Sequence, residues 1–225
     1  MNKIKWIIFA VASITILGLL IGFSRSSKVD VGSVDINAIQ VASDKNGNIA
    51  EHVYGNPDSK VILINYGDFQ CPGCGTAHPR IKAIVEEYKD RIQFVFRNFP
   101  LTAIHANAKA ASATAEAASL QGKYWQMHDK IYENQSEWSS LSIDERTNTF
   151  VNYAKDFGLD IDKFSSDLAS ESIKSKINYD KSLGEKAKVE GTPSFFLNGT
   201  KLESTIWGDS TKLKEALDNE IAKNL

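Results

Sequence analysis

The chain has 225 residues, with 26 basic and 28 acidic side chains and a formal charge of −2. Its first 28 residues hold four of the bases and no acid, so the remainder carries 22 against 28, a balance of −6. That balance argues against a nucleic-acid binder, which needs a basic face, and leaves no polybasic membrane-surface patch beyond the N-terminus.

In chain order, Trp6 to Phe23 is an uncharged run of 18 residues in which only Ser13 and Thr15 are clearly polar. That is near the shortest helix able to span a bilayer. A removable signal has a shorter apolar core and a small-x-small cleavage site, which Gly22-Phe23-Ser24 matches poorly. Residues 1–28 therefore read as an uncleaved transmembrane anchor, with a cleaved signal as the alternative. The flanking charges, Lys3 and Lys5 against Arg25 and Lys28, do not orient it. Ser24 to Asn37 is polar and aperiodic, so 29–39 reads as a tether. Residues 40–225 are long enough for one domain with a full core.

Asn46-Gly47 predicts a hairpin turn. The surrounding Asp44 to Asn48 faintly resembles a calcium loop, but Gly55 stands where the twelfth-position glutamate is required. Val61 to Gly67 is apolar without alternation, as in a strand buried on both faces. Ala77, Ile81, Ile84, Val85 and Tyr88 then keep helical spacing to Asp90, with a kink expected at Pro79. Ile92 to Phe96 is a second strand, which makes strand, helix, strand: a parallel pair with a right-handed crossover.

Ala103 to Gln121 is alanine-rich and predicts helix. Tyr124, Met127, His128 and Ile131 form another apolar stripe. Ser142 and Glu145 make a capping box before a helix carrying Phe150, Val151, Ala154 and Phe157, closed by Gly158. Ile161, Phe164 and Leu168, then Ile173, Ile177 and Leu183, continue the helical pattern. Strand character returns at Thr192 to Gly199, with a hairpin partner around Lys201 to Ile206. A last helix starts near Asp209 and is expected to bury Leu213, Leu217 and Ile221. The architecture expected is α/β, with an inserted helical subdomain at about 103–188.

Cys71 and Cys74, the only cysteines, stand three apart in CPGC. Pro72 suits the first helical position, which puts Cys71 at the helix cap, beside free amides and the positive end of the dipole, where a thiolate is stabilised. A disulfide closing so short a loop adds little fold stability. Zinc needs four ligands, and the four histidines supply no matching spacing, so no metal site is expected. A CxxC between a buried strand and a helix reads as a redox pair.

Asn65 to Pro79 (NYGDFQCPGCGTAHP), FRNFPL at Phe96 to Leu101, GKYWQMHDKIYENQ at Gly122 to Gln135, and GTPSFFLNG at Gly191 to Gly199 together resemble the DsbA-like family. These are thiol–disulfide oxidoreductases of the thioredoxin fold with a helical insertion, and the resemblance runs from about Gly55 to the C-terminus. It implies that Cys71 is the attacking cysteine and Cys74 the resolving one. It also implies that Thr192-Pro193 is a cis-proline loop beside the pair, in contact with the substrate chain. Two departures follow. The dipeptide Pro72-Gly73 lacks the histidine of the best-known oxidant, so Cys71 should be less acidic than in that member. Asn65 stands where the fold commonly places a buried carboxylate, so a proton on Cys74 would have to move through water or Asp68, itself readable as a simple loop acid.

Among other polar residues, His78 is two turns below Cys71, His128 reads as a packed core histidine, and His105 as structural. Asn134-Gln-Ser136 and Asn198-Gly-Thr200 fit the glycosylation pattern, which arises often by chance. Because disulfide chemistry suits an oxidising exterior, the N-terminus is expected inside and the domain outside the membrane. The expected activity is donation of the Cys71–Cys74 disulfide to reduced exported proteins, through an apolar groove around Cys71 and Pro193. The resemblance implies reoxidation by a quinone-linked membrane thiol oxidase and no organic cofactor. The alternatives are a tethered thioredoxin-like reductase and a non-catalytic binding module.

Overall fold

The computed structural model describes residues 28–224. The apolar run Trp6–Phe23, read as a membrane anchor, lies outside the described residues, among which no helix is long and apolar enough to cross a membrane.

The sheet is built from β1 (Val53–Gly55), β2 (Ile62–Gly67), β3 (Gln93–Asn98), β4 (Ser194–Leu197) and β5 (Thr200–Leu202), in the order β1-β3-β2-β4-β5. Strands β2 and β3 are parallel, with Leu63 opposite Phe94 and Asn65 opposite Phe96; the other pairs are antiparallel. Helix α1 (Pro72–Tyr88) makes the crossover between β2 and β3 and runs on through Pro79. Helices α2 (Ala108–Ser119), α3 (Tyr124–Glu133), α4 (Gln135–Trp138), α5 (Ile143–Asp156), α6 (Ile161–Asp167) and α7 (Glu171–Lys186) lie between β3 and β4. Two more, α8 (Ser204–Trp207) and α9 (Ser210–Lys223), follow β5.

The missing alternation in β2 has its cause in two covered faces. Leu63 joins Phe195, Leu197 and the α1 residues Ala77, Ile81 and Val85, together with Leu213 and Leu217 of α9. Ile64 and Tyr66 point the other way, to Val95, Phe196 and the α7 residues Tyr179 and Leu183. A third core fills the helical block, where Ala111, Ala115, Ala117 and Ala118 of α2 are fully buried and Met127, Trp138, Phe150 and Phe164 pack around them. Alanine serves there both as a strong helix former and as a small side chain that lets helices approach. The Ser142–Glu145 capping box forms as expected, and Gly158, at φ 68°, ends α5 in the left-handed conformation that glycine adopts without penalty.

Four sequence expectations are corrected. Asn46-Gly47 does not join two strands. Ser43 donates its N–H to Asn46 Oδ1 at 2.8 Å and Asn46 Nδ2 donates to the Val41 carbonyl at 2.8 Å, so side chains close a 3-10 turn over Asp44–Asn46. Asparagine offers the backbone that alternative to a ladder. Helix α2 begins at Ala108 rather than Ala103, because the N–H groups of Leu101 and Asn107 are taken by Asp68 and Gln70. The second hairpin strand stops at Leu202, and α8 follows so that Trp207 lies against Phe195, ring centroids 5.4 Å apart. In α9, Leu213 and Leu217 are buried while Ile221 is only half-buried.

Candidate active site

Cys71 is the N-cap of α1, in extended conformation at φ −67° and ψ 121°, with Pro72 as the first helical residue. Its N–H donates to the Asp68 carbonyl at 3.0 Å and its own carbonyl accepts the Gly75 N–H at 3.1 Å, so the sulfur is held over the first turn. A helix N-terminus presents unpaired N–H groups and a positive dipole end there. The Thr192–Pro193 peptide is cis, and the Thr192 carbonyl accepts a hydrogen bond from the Cys71 thiol at 3.2 Å, across 121 residues of sequence. Gly73 faces the same loop: a Cβ built on it would lie 3.6 Å from Pro193 Cδ and 3.7 Å from Cys71 Sγ. Those are ordinary contacts, so the position has room for a side chain, although Cys71 itself is buried, 8% exposed.

The two thiols occupy opposed environments. A hydrogen bond from Cys74, with others from the Cys74 and Gly73 backbone, outweighs burial and holds Cys71 down at about 5. Cys74 is 4% exposed, and its burial, with the neighbouring Cys71 sulfur, pushes its thiol well above the ordinary cysteine range. A value near 5 for Cys71 lies between the roughly 3.5 of the strongest CxxC oxidant and the roughly 7 of thioredoxin. That order agrees with the loss of a histidine from the dipeptide.

We expect the ultraviolet thiolate absorbance of the reduced protein to titrate near pH 5 and to disappear in Cys71→Ser. The sign for stability follows. The folded-state value lies below the ordinary 9.0, so ionisation favours the folded dithiol form. This contribution is fully present above pH 9, shrinks as pH falls, and is gone once pH has passed through about 5. Cys74, shifted upward, keeps its proton when folded but ionises near the ordinary value when unfolded, so it offsets part of this gain only as pH approaches and passes 9. Melting temperatures of the dithiol form, compared with the disulfide form across pH, check this; a difference independent of pH would reject it.

Asn65 and Asp68 part company. Asn65, in β2, lines a cavity of about 400 Å³ together with Cys74 and Pro193, and its Oδ1 has no hydrogen-bond partner among the described residues. Asp68 is fully buried and its carboxylate is engaged: it accepts the N–H of Gln70 at 2.8 Å and of Leu101 at 2.9 Å, and meets His105 Nδ1 at 2.7 Å. These contacts tie the loop before Cys71 to Leu101 and hold His105 against it. The cavity wall is mostly apolar, with Ile81, Val85, Phe94, Trp125 and Phe195; Cys74 and Pro193 also line it, while Cys71 stands outside its lining.

Two residues that sequence reasoning passed over tie the helical block to this loop. Gln135 Nε2 donates to the carbonyls of Phe69 at 2.7 Å and Cys71 at 2.9 Å, and its amide lies where a side chain on Gly75 would go. Gln70 Nε2 donates to the Ser139 carbonyl at 2.6 Å, and its Oε1 accepts from Asn107 N. Gln135 ends the quoted stretch Gly122–Gln135, yet no periodicity marks it. His78 lies in the cavity wall with its pKa pushed down to about 4, by burial and then by His128. His128 is the buried core histidine expected, packed on Phe96 at 4.8 Å and Phe69 at 5.4 Å between centroids. The glycosylation triplets are tied down: Asn134 Nδ2 donates to the Lys130 carbonyl, and Asn198 accepts from Ile62 N and donates to Lys60 and Glu220.

A family model described as Thioredoxin matches residues 47–219. The probable disulfide bond formation protein D of Bacillus anthracis is 30% identical over 218 residues, covering 92% of this chain and 97% of its own. The Na(+)/H(+) antiporter NhaA 3 of Salinispora tropica is 35% identical over 151 residues, 67% of this chain, but the chain spans only 22% of that antiporter's length. Among solved structures, oxidised BdbD from Bacillus subtilis superposes with a TM-score of 0.68 at 20% identity, over 82% of this chain and 98% of its own. Wolbachia pipientis alpha-DsbA1 gives 0.67 at 22% identity, over 77% and 92%. At those identities the solved structures speak for the fold.

Proposed function

Since the chain belongs to the DsbA-like thiol–disulfide oxidoreductases of the thioredoxin fold, we propose that its Cys71–Cys74 pair donates a disulfide to reduced proteins exported from the cell. The observation that carries this direction is the contrast between the two thiols, one held near 5 and the other pushed up.

In the reaction a substrate thiolate attacks Cys71 Sγ of the enzyme disulfide. The Cys71–Cys74 bond breaks, its electron pair goes to the Cys74 sulfur, and that sulfur takes a proton because its buried surroundings favour the thiol. A mixed disulfide now joins Cys71 to the substrate. A second substrate thiolate attacks the substrate sulfur of that bond and expels Cys71 as a thiolate, a good leaving group at its low pKa. The substrate has lost two electrons and the enzyme has gained them. Stabilising the reduced form in this way makes the disulfide more oxidising. The Thr192 carbonyl and Pro193 line the approach to Cys71, and the apolar wall beside them suits an unfolded chain.

The apolar run Trp6–Phe23 supports a membrane tether with the domain on the extracytoplasmic side, where disulfides persist. Reoxidation would fall to a quinone-linked membrane thiol oxidase. Equilibration of the full-length protein with glutathione tests the direction. A reduction potential between about −120 and −180 mV, the range of known oxidants and isomerases, supports donation; one near roughly −270 mV, where thioredoxin sits, makes the protein a tethered reductase instead.

A further inference from the structure

The same cavity holds a cluster that disulfide exchange does not use. His78 reaches it from α1, and His128 and Asp129 from α3; one donor atom from each lies within 4.8 Å of the others. His78 Nε2 is 3.6 Å from Asp129 Oδ1, and His128 Nδ1 is 3.0 Å from the same oxygen. Donors around a tetrahedral ion with bonds of about 2.0–2.1 Å stand roughly 3.4 Å apart, close to both distances to Asp129.

Two further features point to a ligand. The His78 side chain is 7% exposed, and its Nε2 has no hydrogen-bond partner among the described residues. Leaving such a nitrogen buried and unpaired is costly. The second carboxylate oxygen of Asp129 is held by Lys82 Nζ at 2.8 Å, which turns Oδ1 toward the two rings. Lys82 is in turn balanced by Glu133 at 2.7 Å, which leaves Asp129 Oδ1, already met by His128 Nδ1, as the carboxylate oxygen facing the two rings.

We propose that His78 Nε2, His128 Nδ1 and Asp129 Oδ1 form a three-ligand site for one zinc-class divalent ion, its fourth position open to the cavity beside Cys74. Two imidazoles and a carboxylate with one open position are a zinc donor set, whereas calcium and magnesium take six or more oxygens. Cys74 stands one helical turn before His78 on the same face of α1, so an ion here sits directly below the redox pair. The site does not depend on the direction of disulfide transfer.

The test uses the full-length chain oxidised to the Cys71–Cys74 disulfide, so that no thiolate can bind metal. Titration with zinc by calorimetry should give one ion per chain, with affinity reduced by about tenfold or more in His78→Gln and in Asp129→Asn. Melting curves establish that each variant is folded. Cobalt(II) added to the unmodified chain supplies a readout independent of any variant. Intense visible bands of a tetrahedral ion, without thiolate charge transfer, are expected. Absence of zinc binding by the oxidised chain, unchanged affinity in folded His78→Gln, or only the weak bands of an octahedral cobalt ion would overturn the proposal and leave a packed histidine pair.

Discussion

Replacing Cys71 by Ser removes disulfide transfer altogether: oxidation of a reduced, unfolded test protein falls to the rate without enzyme. The hydroxyl cannot form the mixed disulfide, and no other residue can substitute, because the chain has only two cysteines and Cys74 is buried with its thiol pushed well up. Loss of a covalent nucleophile removes the whole catalysed path rather than slowing one step of it. Cys74→Ser behaves differently. It keeps Cys71 at the helix cap beside Thr192, so it still attacks disulfides, and it accumulates as a mixed disulfide that nothing resolves. Loss of its Cys74 hydrogen bond, the largest of the influences holding Cys71 down, should raise the Cys71 pKa as well. Thiol trapping and mass measurement of both variants check these outcomes. Turnover retained in Cys71→Ser would mean that the protein works without its pair, as a binding module.

The largest stability effect expected lies far from the thiols. Arg97 in β3 is fully buried and pairs with Glu51, donates to Tyr66 Oη at 2.8 Å, and donates to the carbonyls of Ile36 at 2.5 Å and Ala38 at 2.9 Å. It binds the segment before β1 to the sheet through backbone groups that have to be satisfied. Arg97→Met strands the Glu51 carboxylate and two carbonyls, and should cost about 3–5 kcal/mol. In a protein of this size that is a fall in melting temperature of roughly 10 °C. Adding Glu51→Leu should recover part of the loss, since a stranded charge costs more than an apolar replacement of the pair. Calorimetry of the single and double variants decides it. A single-variant loss below about 1 kcal/mol would mean that water or a shifted segment satisfies Glu51.

A second buried network stands near the first. Lys176 Nζ meets Asp180 Oδ1 at 2.6 Å, Asp180 Oδ2 accepts from Asn98 N and Nδ2, and Asn98 Nδ2 also reaches Glu116, which His52 contacts at 2.8 Å. These charges come from α7, β3, α2 and the segment before β1. Apart from Lys176 and Asp180, one turn apart on α7, their spacing in sequence follows no helical or strand period, and none of them was marked as buried by pattern alone. The alanine-rich α2 was legible as a helix, but that Glu116 on it faces inward was not.

What the sequence determined on its own is short-range. The apolar run of β2, the helical spacing from Ala77 to Tyr88 and the second strand specify a βαβ unit, since period and capping act over a few residues. Pro72 after Cys71 specifies the cap, and the CxxC spacing puts Cys74 where it can bond to the first sulfur. The motif at Thr192-Pro193 could be named by resemblance, but its distance from Cys71 could not. What only the tertiary structure decided is which distant groups meet. Thr192 bonds to a sulfur 121 residues earlier. Asp68 meets Leu101 and His105, 33 and 37 residues later. His78 and His128, each an ordinary helical histidine in sequence, point into one cavity. Such meetings follow from the way α3 packs on α1 and β4 on β2, and packing of separate elements is set by the whole core, not by any local pattern along the chain.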